Sequence, residues 1–292
     1  ALNPGVPGIV TGPRSVVLGT DVADVLEGTP GADTLEGAQG NDTLAGGAGD
    51  DTYVFNLGDG VDTINDVAQP GAGNSIAFGA GIYASDLSLG VGSLVLRVGD
   101  QGDAIHLTNF VPWDVYGRRT VERFNFADGT VLTYDELLER GFDLAGTEGD
   151  DSIEGTNVVD RIRGFAGDDW LYGGAGSDVY VFAPGDGEDW IYDDTGTGTD
   201  MNRVEFSAGV APREVRVTRE GDDLALAYGA GDDRAILANW YLEDIYLGDM
   251  YKSSEVHFAD GTVWNAAMLD ALADAPANSA PEIGAATLAA TV

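Results

Sequence analysis

Asp24, Asp33, Asp42 and Asp51 are spaced by nine residues, and Asp151, Asp160, Asp169 and Asp178 repeat that spacing 127 positions later. An apolar or aromatic residue stands two places after each: Leu26, Leu35, Leu44 and Tyr53, then Ile153, Ile162, Leu171 and Tyr180. Glycine-rich turns precede them, as in Gly37-Ala38-Gln39-Gly40-Asn41-Asp42 and Gly46-Gly47-Ala48-Gly49-Asp50-Asp51. Carboxylates on a fixed period, beside backbone that can crowd its carbonyls together, are equipped to hold a hard cation. Both arrays end alike, with Tyr53-Val54-Phe55 leading to Asp62 and Tyr180-Val181-Phe182 leading to Asp189. The chain is therefore a duplication.

A nine-residue unit of this form makes one turn and one very short strand, with its apolar residue pointing inward. Two units complete one coil of a flattened parallel β-helix, so turns two repeats apart stack on the same edge at about 4.8 Å. This places Asp24 near Asp42, Asp33 near Asp51, Asp151 near Asp169 and Asp160 near Asp178. Two carboxylates about 5 Å apart repel by about 3 kcal/mol at an effective dielectric near 20. A divalent cation reverses that sign. Calcium takes six to eight oxygens at about 2.3–2.6 Å, a number that two Asp side chains and four turn carbonyls supply, whereas magnesium demands a tighter octahedron. The expected carbonyls lie near Gly28, Gly31, Gly37, Gly40, Gly46 and Gly49, and near Gly149, Gly155, Gly164, Gly167, Gly173 and Gly176.

The arrays resemble RTX (repeats-in-toxin) repeats, the haemolysin-type calcium-binding repeats that fold as parallel β-rolls. The resemblance covers about 250 residues, since the segments after each array are similar to those that often follow such repeats. It implies an all-β fold of two tandem calcium-binding β-rolls, each followed by a strand-rich capping region with a short helix. It implies calcium ligation by the eight periodic Asp residues, and by Asp62 and Asp189 at a last ion after a longer, eleven-residue step. It also implies a chain that stays unfolded at low cytosolic calcium and rolls up outside the cell. Val22 and Val158 depart from the pattern, because each replaces a glycine two places before an Asp. A β-branched residue makes a left-handed backbone costly, so distorted sites are expected at Asp24/Asp42 and Asp160/Asp178.

The flanks read as strands. Leu94-Val95-Leu96-Arg97-Val98 and Leu224-Ala225-Leu226-Ala227-Tyr228 alternate with period two. Asp128-Gly129 and Asp260-Gly261 are hairpin dipeptides. Thr133 to Glu136 forms a capping box, and Asn265 caps a second short helix. These flanks are expected to cover the open ends of the arrays. The predicted organisation is a linker at 1–18, a first roll with its flank at 19–143, a second at 144–274, and a linker or the start of a following domain at 275–292.

Composition narrows the function. Fifty acidic against 14 basic residues, a net charge of −36, excludes a basic nucleic-acid surface. No apolar run is long enough to span a membrane. Without cysteine there is neither a disulfide framework nor a zinc–thiolate site. No nucleophile elbow, P-loop, dinucleotide fingerprint or zincin motif occurs, so a non-enzymatic role is expected. His106 and His257 sit in strand-like text, and Trp113, Trp240 and Trp264 are expected to anchor the flanking cores. Asp59 and Asp186 lie in looser turns that suit either turn structure or ligation.

Trp170, Tyr172, Trp190 and Tyr192 flank inward-facing Leu171 and Ile191, and should stack on one outer face of the second roll. That patch either packs beneath its own flanking strands or binds glycan or a surface protein. The reading is a calcium-binding structural module of a secreted or surface bacterial protein. An adhesive module, or an accessory segment of a secreted enzyme or toxin, is the alternative. The partners expected are calcium ions and neighbouring domains of the same chain.

Overall fold

The computed structural model describes residues 14–66, 73–91, 94–117, 119–192, 200–229, 231–242 and 254–274. It divides into two compact units, residues 1–143 with 156–158, and residues 144–155 with 159–292. The terminal segment at 275–292 and most of the N-terminal one lie outside the described residues.

Each unit has two six-stranded sheets, and successive strands of the array alternate between them. The cause is the nine-residue period: three residues of strand followed by a tight turn deliver the chain to the opposite sheet, so strands two repeats apart pair in parallel. In the first unit Val17, Leu35, Tyr53, Ile76 and Phe124 lie in register on one sheet, and Leu26, Leu44, Ile64 and Leu107 on the other. In the second unit the columns are Ile162, Tyr180, Val204 and Val256, and Leu171, Ile191 and Leu237. Leu35, Ile162 and Leu171 are completely buried. Burying such side chains contributes roughly 2 kcal/mol each.

The flanks extend the rolls rather than forming separate layers. Strand Asp103–Leu107 adds in parallel to Val61–Ile64 and then turns the sheet antiparallel through Leu94–Val98 and Leu87–Gly90. Strand Arg123–Asn125 adds to Ser75–Phe78 and pairs back with Val131–Thr133. The second unit repeats the arrangement with Arg234–Leu237 and Ser254–Phe258. The hairpin at Asp128-Gly129 uses φ 90° at Gly129, and the Asp128 carboxylate accepts the Thr130 N–H at 2.8 Å. Thr133 and Glu136 cap helix Tyr134–Leu138 reciprocally, and Asn265 accepts the Met268 N–H at the start of helix Ala266–Ala273.

Three features differ from the sequence expectation. Strand Val16–Leu18 falls inside the segment expected to be a linker, because Ser15-Val16-Val17 keeps the polar–x–apolar frame of the repeats. The flanks extend only the C-terminal side of the first roll, and on its first coil Val16, Leu18 and Val25 are exposed. Trp113 anchors no core: it is 80% exposed in the turn Pro112–Asp114, whereas Trp240 and Trp264 are 1% exposed.

Candidate metal centre

Along each roll the turns stack into two edges, and one Asp per turn forms a continuous ladder. The Asp24 N–H donates to Asp42 Oδ1 at 2.7 Å, and the Asp42 N–H to Asp62 Oδ1 at 3.0 Å. On the other edge the Asp33 N–H donates to Asp51 Oδ1 at 2.8 Å. In the second unit the Asp151 N–H donates to Asp169, Asp160 to Asp178, and Asp169 to Asp189. All ten Asp residues singled out by their spacing are thus brought together as rungs.

One oxygen of Asp42, Asp51, Asp62, Asp169, Asp178 and Asp189 is thereby spoken for, and the second is not. Each buries Oδ2 with no hydrogen-bond donor, and all six residues are at most 1% exposed. A buried carboxylate oxygen without a partner costs about 1–3 kcal/mol, more when charged. Burial accordingly pushes Asp51 up to about 6, Asp62 and Asp178 to about 7, and Asp189 to about 8, with neighbouring carboxylates adding to the rise at Asp51, Asp62 and Asp189. Asp169 rises for the same first reason.

Glycines line the space these oxygens face. A Cβ added at Gly37 would collide with Asp42 Oδ2, one at Gly46 or Gly164 with Asp51 or Asp169, and one at Gly173 with Asp178. Backbone carbonyls crowd the same edges: the Gly37, Gly40 and Gly46 carbonyls press against Gly19, Gly60 and Gly28 of the stacked turn, and Gly164, Gly173 and Gly167 against Gly146, Gly155 and Gly187. Among the described residues no three acidic or histidine side chains converge on one point. The donors instead come as carboxylates plus backbone carbonyls, which is the hard, all-oxygen set that suits calcium. The residues therefore fit the cation that the sequence called for.

Two ladder members escape sequence reading. Asn74 Oδ1 accepts the Asp51 N–H and Asn202 Oδ1 the Asp178 N–H, so an amide closes this edge in both units. Asn74-Ser75-Ile76 and Asn202-Arg203-Val204 preserve the polar–x–apolar frame, which was the available signal. Ser15 does the same at the other end, donating to Asp33 Oδ1 through N–H at 2.6 Å and hydroxyl at 3.0 Å. Asp59 and Asp186 bond within their own turns, accepting from the Asn56 and Ala183 N–H groups at 2.7 Å. His106 and His257 lie in strands, the latter beside Glu255 at 2.9 Å.

The aromatic residues form an exposed ladder on the second roll. Trp170 pairs with Trp190 and Tyr172 with Tyr192 in parallel register. Tyr192 lies 5.4 Å from both Trp170 and Tyr172, with ring planes within 13° and 19°. Trp170 is 47% exposed and the others half-buried, so the described flanking strands do not bury the patch. Rings this close and this parallel are in the offset-stacked range.

Comparison with known proteins agrees with this geometry. The RTX calcium-binding nonapeptide repeat, in four copies, matches residues 18–53 and 145–180. The haemolysin-type calcium binding protein related domain matches residues 94–136 and 223–268. The chain thus carries RTX haemolysin-type calcium-binding repeats, and these bind calcium. No curated protein matches it in sequence. Among solved structures it is similar to the extracellular lipase LipA from Serratia marcescens, at 18% identity and a TM-score of 0.27. The likeness covers 78% of this chain but only 38% of the lipase chain.

Proposed function

We propose that this chain is a calcium-operated structural module of a secreted or surface-attached bacterial protein, without catalytic chemistry of its own. Calcium is held along the turn edges by the laddered carboxylates whose second oxygen has no donor, Asp42, Asp51, Asp62, Asp169, Asp178 and Asp189, and by the turn carbonyls beside them. The observation that carries this reading is the set of six buried, unpartnered carboxylate oxygens recurring at equivalent turns of both units. These oxygens oppose the fold until a cation joins them. Binding free energy is then folding free energy. An affinity of about 10⁻⁴ to 10⁻³ M would keep the chain extended in a calcium-poor cytosol and close it outside the cell. No helix among the described residues is long and apolar enough to cross a membrane. The stacked aromatic ladder serves the same structural end, tying neighbouring strands together through ring contacts along the outer face.

Calcium titration followed by far-UV circular dichroism tests the proposal. The expected result is a disordered spectrum in chelator and a cooperative gain of strand signal at sub-millimolar to millimolar calcium. A fully folded spectrum in excess chelator at neutral pH would refute it.

A further inference from the structure

The turns of each array are not equivalent. In the first two, the second turn residue is threonine: Thr20, Thr29, Thr147 and Thr156. The Thr20 N–H and hydroxyl both donate to Asp24 Oδ2, at 2.7 and 2.8 Å. Those of Thr29 both donate to Asp33 Oδ2, and those of Thr147 to Asp151 Oδ2 at 2.6 and 2.8 Å. In the fourth of these turns Thr156 Oγ1 accepts the Val158 N–H at 3.2 Å, and Asp160 also keeps a partner. In the next two turns that position is Ala38, Gly47, Phe165 or Gly174, all at positive φ between 65° and 92°. There is no hydroxyl, and the Oδ2 of Asp42, Asp51, Asp169 and Asp178 is left without a donor. The glycine two places before the Asp follows suit. Gly40, Gly49, Gly167 and Gly176 lie at φ 132–141°, whereas Val22, Gly31, Gly149 and Val158 do not enter that region. This explains how valine is tolerated: the threonine turn does not ask for a left-handed residue there.

We infer that threonine closes the first coil of each roll with hydrogen bonds in place of a cation, and that the strongest calcium sites lie between Asp42 and Asp62 and between Asp169 and Asp189. Those are the adjacent rungs on which both Oδ2 atoms are buried and unpartnered. Asp51 and Asp178 face Asn74 and Asn202 on the next rung, so they offer a cation one carboxylate and an amide. Asp24, Asp33 and Asp151 have their charge met by the threonine of their own turns and contribute little to affinity. The left-handed Ala38 and Phe165 fit the same division, because a side chain in that region costs about 1–2 kcal/mol and something must hold it there. Spacing alone makes no such division: it treats the eight periodic Asp residues alike and adds Asp62 and Asp189 only at a last ion.

The inference rests on the calcium reading above, and its test separates the two. Calcium binding to the full chain is measured by isothermal titration calorimetry, with ion counts from native mass spectrometry, for Asp24→Asn, Asp62→Asn, Asp151→Asn and Asp189→Asn. Asp62→Asn and Asp189→Asn are expected each to weaken one site by about tenfold or more, as loss of a ligand charge does. Asp24→Asn and Asp151→Asn should leave affinity and ion count unchanged, since the amide oxygen still accepts from the threonine. Equal losses from both kinds of variant would overturn the inference while leaving calcium binding standing. Absence of any calcium uptake by the unaltered chain would sink the reading beneath it. Should Asp62→Asn fail to fold, terbium soaked into crystals of the unaltered chain decides by anomalous scattering. The strongest peaks are expected between Asp42 and Asp62 and between Asp169 and Asp189. Stronger peaks at Asp24/Asp42 or Asp33/Asp51 would overturn the ranking.

Discussion

Asp33 and Asp51 stand on adjacent rungs of one edge, eighteen residues apart in the same motif, yet their surroundings differ in kind. Burial raises the Asp33 carboxyl, but donors from Thr29 and Ser15 outweigh it and hold the group below its ordinary value. Burial pushes Asp51 up to about 6, and its Oδ2 has no donor. Two residues separate the cases: Thr29 stands where the later turn has Gly47, and Ser15 adds a hydroxyl donor. A repeat can be periodic in sequence and still divide its labour: some turns are self-sufficient and others need a ligand.

The largest effect should come from narrowing the space around an unpartnered oxygen. Gly164→Ala places a Cβ where Asp169 Oδ2 now sits. The calcium midpoint for folding of the second unit should rise by about tenfold or more. Gly261→Ala, at a hairpin with positive φ and open space around it, should cost only about 1 kcal/mol of backbone strain and leave that midpoint nearly unchanged. Similar midpoints for the two variants would show that the edge does not bind through that cleft.

Acid should act in opposite directions on the two forms of the chain. In the metal-free chain Asp62 and Asp189 have folded values of about 7 and 8 against 3.8 unperturbed, so folding takes up protons. The stabilisation this provides is complete below about pH 4 and is lost as pH rises through 7 to 8. Metal-free protein should therefore show more strand signal at pH 5 than at pH 8. With calcium bound, the ligands must be ionised, and the midpoint should rise on acidification. A pH-independent midpoint would contradict the assignment of carboxylates as ligands.

Much of this was legible in the sequence because a nine-residue period fixes both the inward residue and the turn. Leu35, Tyr53, Ile162 and Tyr180 land in the core for that reason. The hairpin at Asp128-Gly129 and the cap at Thr133 were legible because their chemistry is local. Less accessible was everything set by neighbours distant in sequence. Asn74 joins the ladder only because strand Ser75–Phe78 returns to Thr52–Phe55 after a long excursion. The role of Thr29 depends on where its N–H points once the turn has closed, which a spacing rule does not encode. Trp113 was misplaced because composition says that tryptophan is usually buried and nothing local said that this turn faces water.

Smaller effects should follow in the aromatic ladder and the closed turns. Trp190→Ala removes its contacts with Trp170 and Tyr192, at 6.3 and 6.1 Å, and should cost about 1–3 kcal/mol at saturating calcium, measured by denaturant unfolding. Stability unchanged by this variant would return the ladder to the role of a binding surface. Thr29→Ala keeps the N–H but removes the hydroxyl donor to Asp33, and should cost about 0.5–1.5 kcal/mol without moving the calcium midpoint. A shifted midpoint would erase the distinction between closed and open turns.

Residue-resolved amide hydrogen exchange reads the central claim at the rungs themselves. The N–H groups of Asp42, Asp51, Asp169 and Asp178 each donate to the rung above. At neutral pH they should exchange slowly in millimolar calcium and at the rate of an unstructured chain in excess chelator, with both units losing protection together with their metal. Equal protection in the two conditions would mean that the ladders close unaided, and that calcium is a passenger on a fold already made.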